Sequence, residues 1–179
     1  FLKIKSDHRE VTARELATAV ALRKSIKKLN IKNAISFHSS IRRAKNFSST
    51  QVLVSKLYPS LFKSIDTFHV SGNMSSSMRA QEMRHFAESN ASLMTNARCL
   101  TEGVDLPSID CVCFTDPKRS RVDIVQAAGR ALRLLKGKKF GYILIPIIVN
   151  NNDTPESVTK NKDFDEVVTT VGALSTQDE

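Results

Sequence analysis

The chain has 179 residues and a net charge of +9, with 41% hydrophobic and 25% charged residues. This balance is typical of one globular domain of ordinary size and excludes a disordered chain. The longest nearly unbroken apolar run, residues 142–149, contains Pro146 and is too short to cross a bilayer, so we expect no membrane partner.

The spacing of apolar residues predicts helices and strands that alternate along the chain. The predicted helices cover residues 12–29, 41–57, 75–89, 122–135 and 164–174, and the predicted strands cover residues 34–38, 65–70, 91–94, 110–114 and 140–148. We expect Met78, Met83, Phe86 and Val125 on the inner faces of their helices. This alternation indicates βαβ crossovers, and therefore an α/β fold with a mostly parallel sheet and helices on both faces.

Charge is unevenly placed along the chain. Residues 1–45 hold twelve basic and three acidic side chains, 12 − 3 = +9, so the remaining residues are neutral in sum. Such a segment favours a phosphate backbone or an acidic neighbouring domain as its partner, or is simply a solvated helix face. We predict a basic helical lead-in over 1–30, the α/β domain over 31–149, and a polar, acidic tail or the start of a following domain over 150–179.

Cysteine and histidine usage bears on location and metals. Cys99, Cys111 and Cys113 form no CxxC pair, and four scattered histidines lack metal-ligand spacing. We expect no disulfide framework and no metal site, in a reducing cytoplasm. The chain begins at Phe1 with neither an initiator Met nor an apolar signal segment, so we expect a piece of a longer protein that is not secreted.

Polar residues follow four of the predicted strands. They are Ser39-Ser40, Ser71-Gly72-Asn73, Thr95-Asn96 and Thr115-Asp116. Because ligands of parallel α/β sheets bind outside the carboxyl ends of the strands, these hydroxyls, amides and loop N–H groups are suited to hold phosphates.

The most informative segment lies inside the fourth predicted helix. Helical spacing places Gln126, Arg130 and Arg133 on one face, with Gly129 in register. A glycine costs about 1 kcal/mol in a helix interior, so it indicates close approach by a ligand or another backbone. Two neighbouring guanidinium groups repel unless an anion lies between them, and their planar forks match phosphate oxygens. The pair predicts a phosphate site, which we expect at the carboxyl edge of the sheet.

A second segment, residues 95–107, leaves a strand and then turns tightly. Gly103 frees the backbone and Pro107 fixes the exit, which leaves Asp105 as an acceptor for a ribose hydroxyl. By itself this pattern is typical of an ordinary loop.

Together the two segments resemble motifs V and VI of the superfamily-two helicases and translocases. Gln126-x-x-Gly129-Arg130-x-x-Arg133 is similar to motif VI, and Thr95…Glu102-Gly103-Val104-Asp105-Leu106-Pro107 is similar to motif V. Residues 34–40 resemble motif IV, and residues 69–75 with Arg79 resemble the segment before motif V. The chain departs from the DEAD-box pattern at Gln126, Ala127 and Leu132, and looks more like the DNA-directed helicases of restriction–modification systems.

The resemblance implies a RecA-like second lobe, similar to P-loop NTPases, over roughly residues 30–149. A GxxxxGK[ST] loop needs Gly before Lys, and the one such pair, Gly137-Lys138, lacks the pattern. ATP and Mg are therefore expected to be bound mainly by a first RecA-like lobe of the same polypeptide. This chain would be part of an ATP hydrolase and not hydrolyse ATP alone.

The resemblance also implies roles for individual residues. Arg130 and Arg133 would reach the γ-phosphate, Gln126 would help to position it, and Gly103 and Asp105 would lie near the ribose. The nucleic-acid backbone, DNA in preference to RNA, would touch Ser39, Gly72 and Thr95, with help from Lys118 and Arg119.

Two other functions remain open at this point. One is a non-catalytic basic α/β module that binds nucleic acid through residues 1–45, although the chain has no Trp and only two Tyr for stacking bases. The other is a stand-alone enzyme for a phosphorylated small molecule, which lacks a recognisable nucleophile–base pair. Cys99 beside Arg98 comes nearest to one.

Overall fold

The computed structural model describes residues 3–6, 9–97, 109–116, 120–133, 138, 140–147 and 164–175, with the backbone alone for residues 3–6, 9, 130–132, 174 and 175. The strands are β1 (Lys3–Ser6), β2 (Arg9–Thr12), β3 (Asn33–Phe37), β4 (Asp66–Ser71), β5 (Ser92–Ala97), β6 (Cys111–Phe114) and β7 (Tyr142–Leu144). The helices are α1 (Ala13–Leu29), α2 (Ile41–Leu57), α3 (Ser76–Glu88), α4 (Arg121–Leu132) and α5 (Asp165–Ser175).

Five of these strands form one parallel sheet in the order β4-β5-β3-β6-β7. The strands β1 and β2 pair separately as an antiparallel hairpin. The predicted α/β class with a parallel sheet is confirmed. The helix after β3 connects to β4 on one side of the sheet, whereas the helix after β6 connects to β7 on the other side. The two connections therefore run in opposite directions from the neighbouring strands β3 and β6. That divergence is the switch point at which open α/β sheets form a binding crevice.

Each face of the sheet has its own apolar core, because alternate strand residues point to opposite faces. Helices α1 and α2 cover one face, where Ala19, Leu22, Phe47 and Val54 pack with Ala34, Leu93 and Cys111. Helices α3, α4 and α5 cover the other face, where Met83, Phe86, Ile124, Phe164 and Val167 pack with Ile35, Val112 and Phe114. The helix α1, predicted as a lead-in, shares its core with the strands.

Four helices begin at a hydroxyl residue that caps them. Thr12, Ser40, Ser75 and Ser120 each accept a hydrogen bond at the side-chain oxygen from the backbone N–H three residues later. Such caps satisfy an otherwise unpaired donor and contribute about 1 kcal/mol each. At its other end, α1 stops at Asn30, whose φ of 51° is left-handed.

Two expectations about helix faces are wrong. Met78 is 56% exposed and Val125 is 40% exposed, so neither lies on the inner face of its helix. The hairpin of β1 and β2 was not predicted. Met83 and Phe86 are buried as expected. In the described part of the chain, no helix combines the length and apolar character that a bilayer crossing requires.

Candidate nucleotide and nucleic-acid surfaces

The polar residues that follow β3, β4 and β6 share one edge of the sheet, as predicted, whereas Thr95 and Asn96 lie inside β5. Phe37 lies beside Asn96 on one neighbouring strand and beside Phe114 on the other, and Asn96 lies beside Val70. These four strands therefore end at about the same level, and the segments that follow them lie along one edge of the sheet. This carboxyl edge holds Ser39, Gly72, Thr115 and Asp116 among the described residues.

Asp116 accepts several hydrogen bonds at this edge. Its Oδ2 accepts hydrogen bonds from the Ser39 backbone N–H (2.8 Å), the Ser39 hydroxyl (3.0 Å) and Arg43 Nε (2.8 Å). Arg43 Nη2 also donates to Oδ1, which completes a two-point ion pair. Burial alone would raise the pKa of Asp116, but the hydrogen bonds from Arg43 and Ser39 outweigh it and hold that pKa below its ordinary value. The carboxylate thus joins β6 to the start of α2 across the switch point.

His38 forms a second polar group at the same crevice. One ring nitrogen, Nε2, lies 2.9 Å from the Ser36 hydroxyl, and the other, Nδ1, lies 2.8 Å from the Thr115 hydroxyl. The Thr115 hydroxyl also donates to the Phe37 carbonyl oxygen at 2.7 Å. Burial lowers the pKa of His38 to about 4, against a smaller opposing effect from Asp116. The imidazole is therefore neutral near pH 7 and serves as a fixed link between β3 and β6.

The side chain of Thr95 is inside the sheet. It is fully buried, and its hydroxyl donates to the Phe68 carbonyl oxygen at 3.2 Å and lies 3.0 Å from His69 Nδ1. Burial, followed by the charge of Lys45, lowers the pKa of His69. The Thr95 side chain is therefore not part of the protein surface. Its contact with nucleic acid stays a prediction.

Ser39 and Gly72 are exposed at the carboxyl edge. A Cβ placed on Gly72 would meet no atom within 4 Å, so space is open there. Their predicted contacts with nucleic acid stay predictions. Gly103, Asp105, Lys118 and Arg119, also named from the sequence, lie outside the described residues, as does the side chain of Arg130.

The second predicted group lies in or just after α4. Gly129 is exposed, and a Cβ placed on it would meet no atom within 4 Å. Gln126 Oε1 is buried yet accepts no hydrogen bond from any described residue. Arg133, one residue past the end of α4, is exposed. Exposed Val122 (65%) and Val125 (40%) continue the exposed face of α4 toward the start of the helix.

Arg133 lies at a different edge of the sheet from the one expected. Lys138 Nζ donates to the Ile109 carbonyl oxygen (2.6 Å), which precedes β6, and lies 3.4 Å from the Arg133 carbonyl oxygen. Arg133 therefore lies at the amino edge of the sheet, and the prediction that it lies at the carboxyl edge is wrong. The reason is geometric: a helix of twelve residues is about 18 Å long and returns from one edge of the sheet to the other.

Asp116 and Arg43 are the residues that sequence reasoning missed. Asp116 was noted at the start of a loop, and Arg43 was counted in the basic first quarter, but nothing in their spacing paired them. They are 73 residues apart in the chain. Only the adjacency of β3 and β6 brings them together.

Cysteines and metal ligands add no further site to this surface. Cys111 and Cys113 are free and buried, and burial raises the pKa of the Cys113 thiol to about 12, which makes it unreactive near neutral pH. Among the described residues, no three His, Cys, Asp or Glu side chains are grouped as metal ligands. The reducing compartment inferred from the cysteines stays a prediction.

Residues 17–134 match the helicase conserved C-terminal domain. The chain belongs to this family. The structure, a parallel sheet with helices on both faces, is the RecA-like second lobe of superfamily-two helicases and translocases. The Saccharomyces cerevisiae protein named "Putative ATP-dependent helicase IRC3" is 33% identical over 86 residues, which cover 47% of this chain and 12% of that protein.

Two solved structures are similar to this chain. The ATP-dependent Type ISP restriction-modification enzyme LlaBIII bound to DNA superposes on 92% of this lobe with a TM-score of 0.79 and 30% sequence identity. Domain 2 of the DEAD-box helicase Mss116p, bound to an RNA duplex, covers 84% of the lobe with a TM-score of 0.58 and 16% identity, which shows the shared fold alone. The lobe spans 12% of the LlaBIII chain and 56% of the Mss116p chain.

Proposed function

We propose that this lobe is the second motor lobe of an ATP-dependent nucleic-acid helicase or translocase. It supplies motifs IV to VI to an ATP site that it shares with a first RecA-like lobe of the same polypeptide. The single observation that carries the proposal is the α4 face, where the motif VI glutamine, glycine and arginine occur in a chain whose residues 17–134 match the helicase family.

The described residues of this face fit a nucleotide phosphate group. Gly129 leaves open space on this face, so a ligand can approach the helix closely. Arg133 exposes a guanidinium group at the end of the same helix. ATP with Mg, held mainly by the first lobe, would supply the phosphoryl group, and Arg133 together with Arg130 would stabilise the charge that develops on it. Gly103 and Asp105 would lie near the ribose.

The same face fits a second domain. Val122 and Val125 are large apolar residues that the lobe leaves exposed beside Gly129. Apolar residues in such a stripe favour contact with another protein surface. Closure of the two lobes on ATP would cover this stripe and bring the arginines to the phosphates.

We place the nucleic acid at the carboxyl edge, away from the α4 face. Ser39 and Gly72 are exposed there, and Arg42, Arg43 and Lys45 bring positive charge to the first turns of α2. Lys118 and Arg119 would add to it. We propose DNA in preference to RNA, and a role related to restriction–modification, because LlaBIII, bound to DNA, is 30% identical across most of the lobe.

The non-catalytic binding module is the less favoured function. Its main support was the basic first quarter, and much of that charge lies on α1 and α2, which are ordinary layers of the helicase fold. Membership of the helicase family explains those helices without a separate activity.

The test is to measure ATP hydrolysis by the polypeptide that carries both lobes and by this lobe alone, each with and without DNA and RNA. We expect hydrolysis that nucleic acid stimulates in the first case and no turnover in the second, because the phosphate loop and the Mg carboxylates belong to the first lobe. Turnover by this lobe alone would refute the shared site.

A further inference from the structure

Two aspartates tie the ends of β6 to the ends of β3, and they do so differently. At the amino edge, Asp110 Oδ2 accepts from the backbone N–H groups of Lys32 (2.9 Å) and Asn33 (3.0 Å). At the carboxyl edge, Asp116 accepts from Ser39 and, in addition, from the Arg43 guanidinium group. Among the described residues, Asp110 accepts hydrogen bonds from backbone donors, whereas Asp116 also pairs with a long cationic side chain from α2.

The burial of the Arg43–Asp116 pair is asymmetric. The Asp116 side chain is 7% exposed, but the Arg43 side chain is 58% exposed. The carboxylate engages Nε and Nη2 of the guanidinium group, which leaves Nη1 for a further acceptor. The arrangement therefore holds a solvent-facing cation in one orientation.

A fixed arginine is a better ligand for phosphate than a free one. A free arginine loses about 2 kcal/mol of rotamer entropy when it is held in one geometry, and here Asp116 already holds it. The ion pair adds little to the stability of the fold, because water screens the charge of the mostly exposed Arg43 side chain. The geometry is better suited to presenting Arg43 than to burying it.

Position supports the same role. Arg43 lies in the first turn of α2, four residues after Ser39, and Asp116 holds both of them. Arg42 and Lys45 are exposed in the same turns, and Glu15 is the only acidic residue between positions 13 and 63. Because the backbone of nucleic acid offers a row of phosphates, a guanidinium group held in one orientation at this edge suits it.

We propose that Arg43 contacts a phosphate of the bound nucleic acid and that Asp116 is a positioning residue, which orients both Arg43 and the Ser39 turn for that contact. Neither residue takes part in ATP chemistry. The inference rests on the proposed function, in which nucleic acid binds at the carboxyl edge.

The experiment measures ATP turnover by the two-lobe polypeptide as a function of DNA concentration. Asp116→Asn keeps the size of the side chain but turns an acceptor into a donor, and Arg43→Ala removes the contact itself. Each should raise the DNA concentration for half-maximal stimulation by about tenfold, while the maximal rate and the KM for ATP stay at wild-type values. The double variant should be no worse than Arg43→Ala, since both changes remove one contact.

Matched controls separate positioning from stability. Asp110→Asn weakens the corresponding tie at the other end of β6, because the amide keeps only one acceptor oxygen, and should lower the Tm without changing the response to DNA. Arg84→Ala removes an exposed arginine from α3 and should change neither. Arg43→Lys keeps the charge without the two-point contact, so it should restore only part of the DNA response.

Two results would overturn the inference on its own. The first is a half-maximal DNA concentration in Asp116→Asn and Arg43→Ala that matches the controls. The second is a loss that appears in the maximal rate alone. If Asp116→Asn does not fold, Arg43→Ala decides the outcome alone, because its side chain is mostly exposed. A wild-type polypeptide that hydrolyses ATP but does not respond to any nucleic acid would refute the proposed function, and this inference with it.

Discussion

Arg133 and Ser39 lie at opposite ends of the sheet. The Arg133 carbonyl oxygen is 3.4 Å from Lys138 Nζ, which donates to the Ile109 carbonyl oxygen before β6. The Ser39 N–H donates to Asp116, two residues after the end of β6. The surface proposed for ATP and the edge proposed for nucleic acid are therefore distinct places on one lobe, and changes at one should leave binding at the other intact.

The first prediction uses this separation. Arg133→Ala should leave the affinity of this lobe for duplex DNA within about twofold of wild type, since the charge it removes is remote from the carboxyl edge. Binding of the wild-type lobe should be independent of base sequence and should fall steeply with salt, because backbone contacts dominate it. Fluorescence anisotropy over a salt series measures both. An affinity that collapses in Arg133→Ala would place the nucleic acid on α4 instead.

The second prediction concerns Gly129. The open space beside it means that Gly129→Ala should stabilise this lobe by about 0.5–1 kcal/mol through helix propensity, and Gly129→Leu should fold normally. In the two-lobe polypeptide, Gly129→Leu should cut ATP turnover at least about tenfold, because a bulky side chain would block the approach of the other lobe or the nucleotide.

The control for Gly129 is another helical glycine. Gly172 in α5 is also exposed, and a Cβ placed on it would meet no atom within 4 Å. Gly172→Leu should leave turnover unchanged. Equal turnover in Gly129→Leu and Gly172→Leu would mean that nothing approaches Gly129.

The third prediction is a pH dependence that comes from His38. Its folded pKa is about 4 against an ordinary 6.5, so the unfolded chain binds the proton first. Stability should be complete above pH 6.5 and fall as the pH drops toward 4, by about 3 kcal/mol for a shift of this size. Urea unfolding across that range measures it.

His38→Gln serves as the reference for this titration, because it removes the ionisable ring. The variant should show a flatter profile between pH 6.5 and 4. The charges that act on His38 are those of Asp116, Arg43, Glu15 and His69. The pKa of Asp116 is lowered from its ordinary 3.8, so this carboxylate becomes protonated only below pH 3.8. The stability that is lost when Asp116 is protonated therefore falls outside the window between pH 6.5 and 4. Parallel profiles for wild type and His38→Gln would contradict the assignment.

Much of the fold could be predicted from the sequence because the α/β pattern is local. The helix predicted over 41–57 matches α2, and the periods of apolar residues located the strands of the sheet within a few residues. The predictions of which helix face is buried are less accurate than the predictions of where helices and strands lie. Val125 was expected inside, but Ile124, Ala127 and Ala128 fill the inner face of α4, which turns Val125 outward.

The site could be predicted only in part, because its parts depend on different kinds of information. The spacing of Gln126 and Gly129 within one helix is a local property, and in the structure Gln126 is half-buried and Gly129 is exposed on α4. The Arg43–Asp116 pair depends on strand order, which no local pattern encodes. The level of Arg133 depends on how far a helix runs back across the sheet, and the rule that ligands gather at the carboxyl edge was misleading for it.

The most direct test of the account is ATP turnover by the two-lobe polypeptide with Arg133→Ala. We expect the rate at saturating ATP and DNA to fall by about a hundredfold or more, with little change in nucleotide affinity or Tm, because the guanidinium acts mainly in the transition state. Arg133→Lys should not restore the rate, since an ammonium group lacks the planar fork. Unchanged turnover in Arg133→Ala, with a lowered Tm, would contradict the account and make this arginine structural.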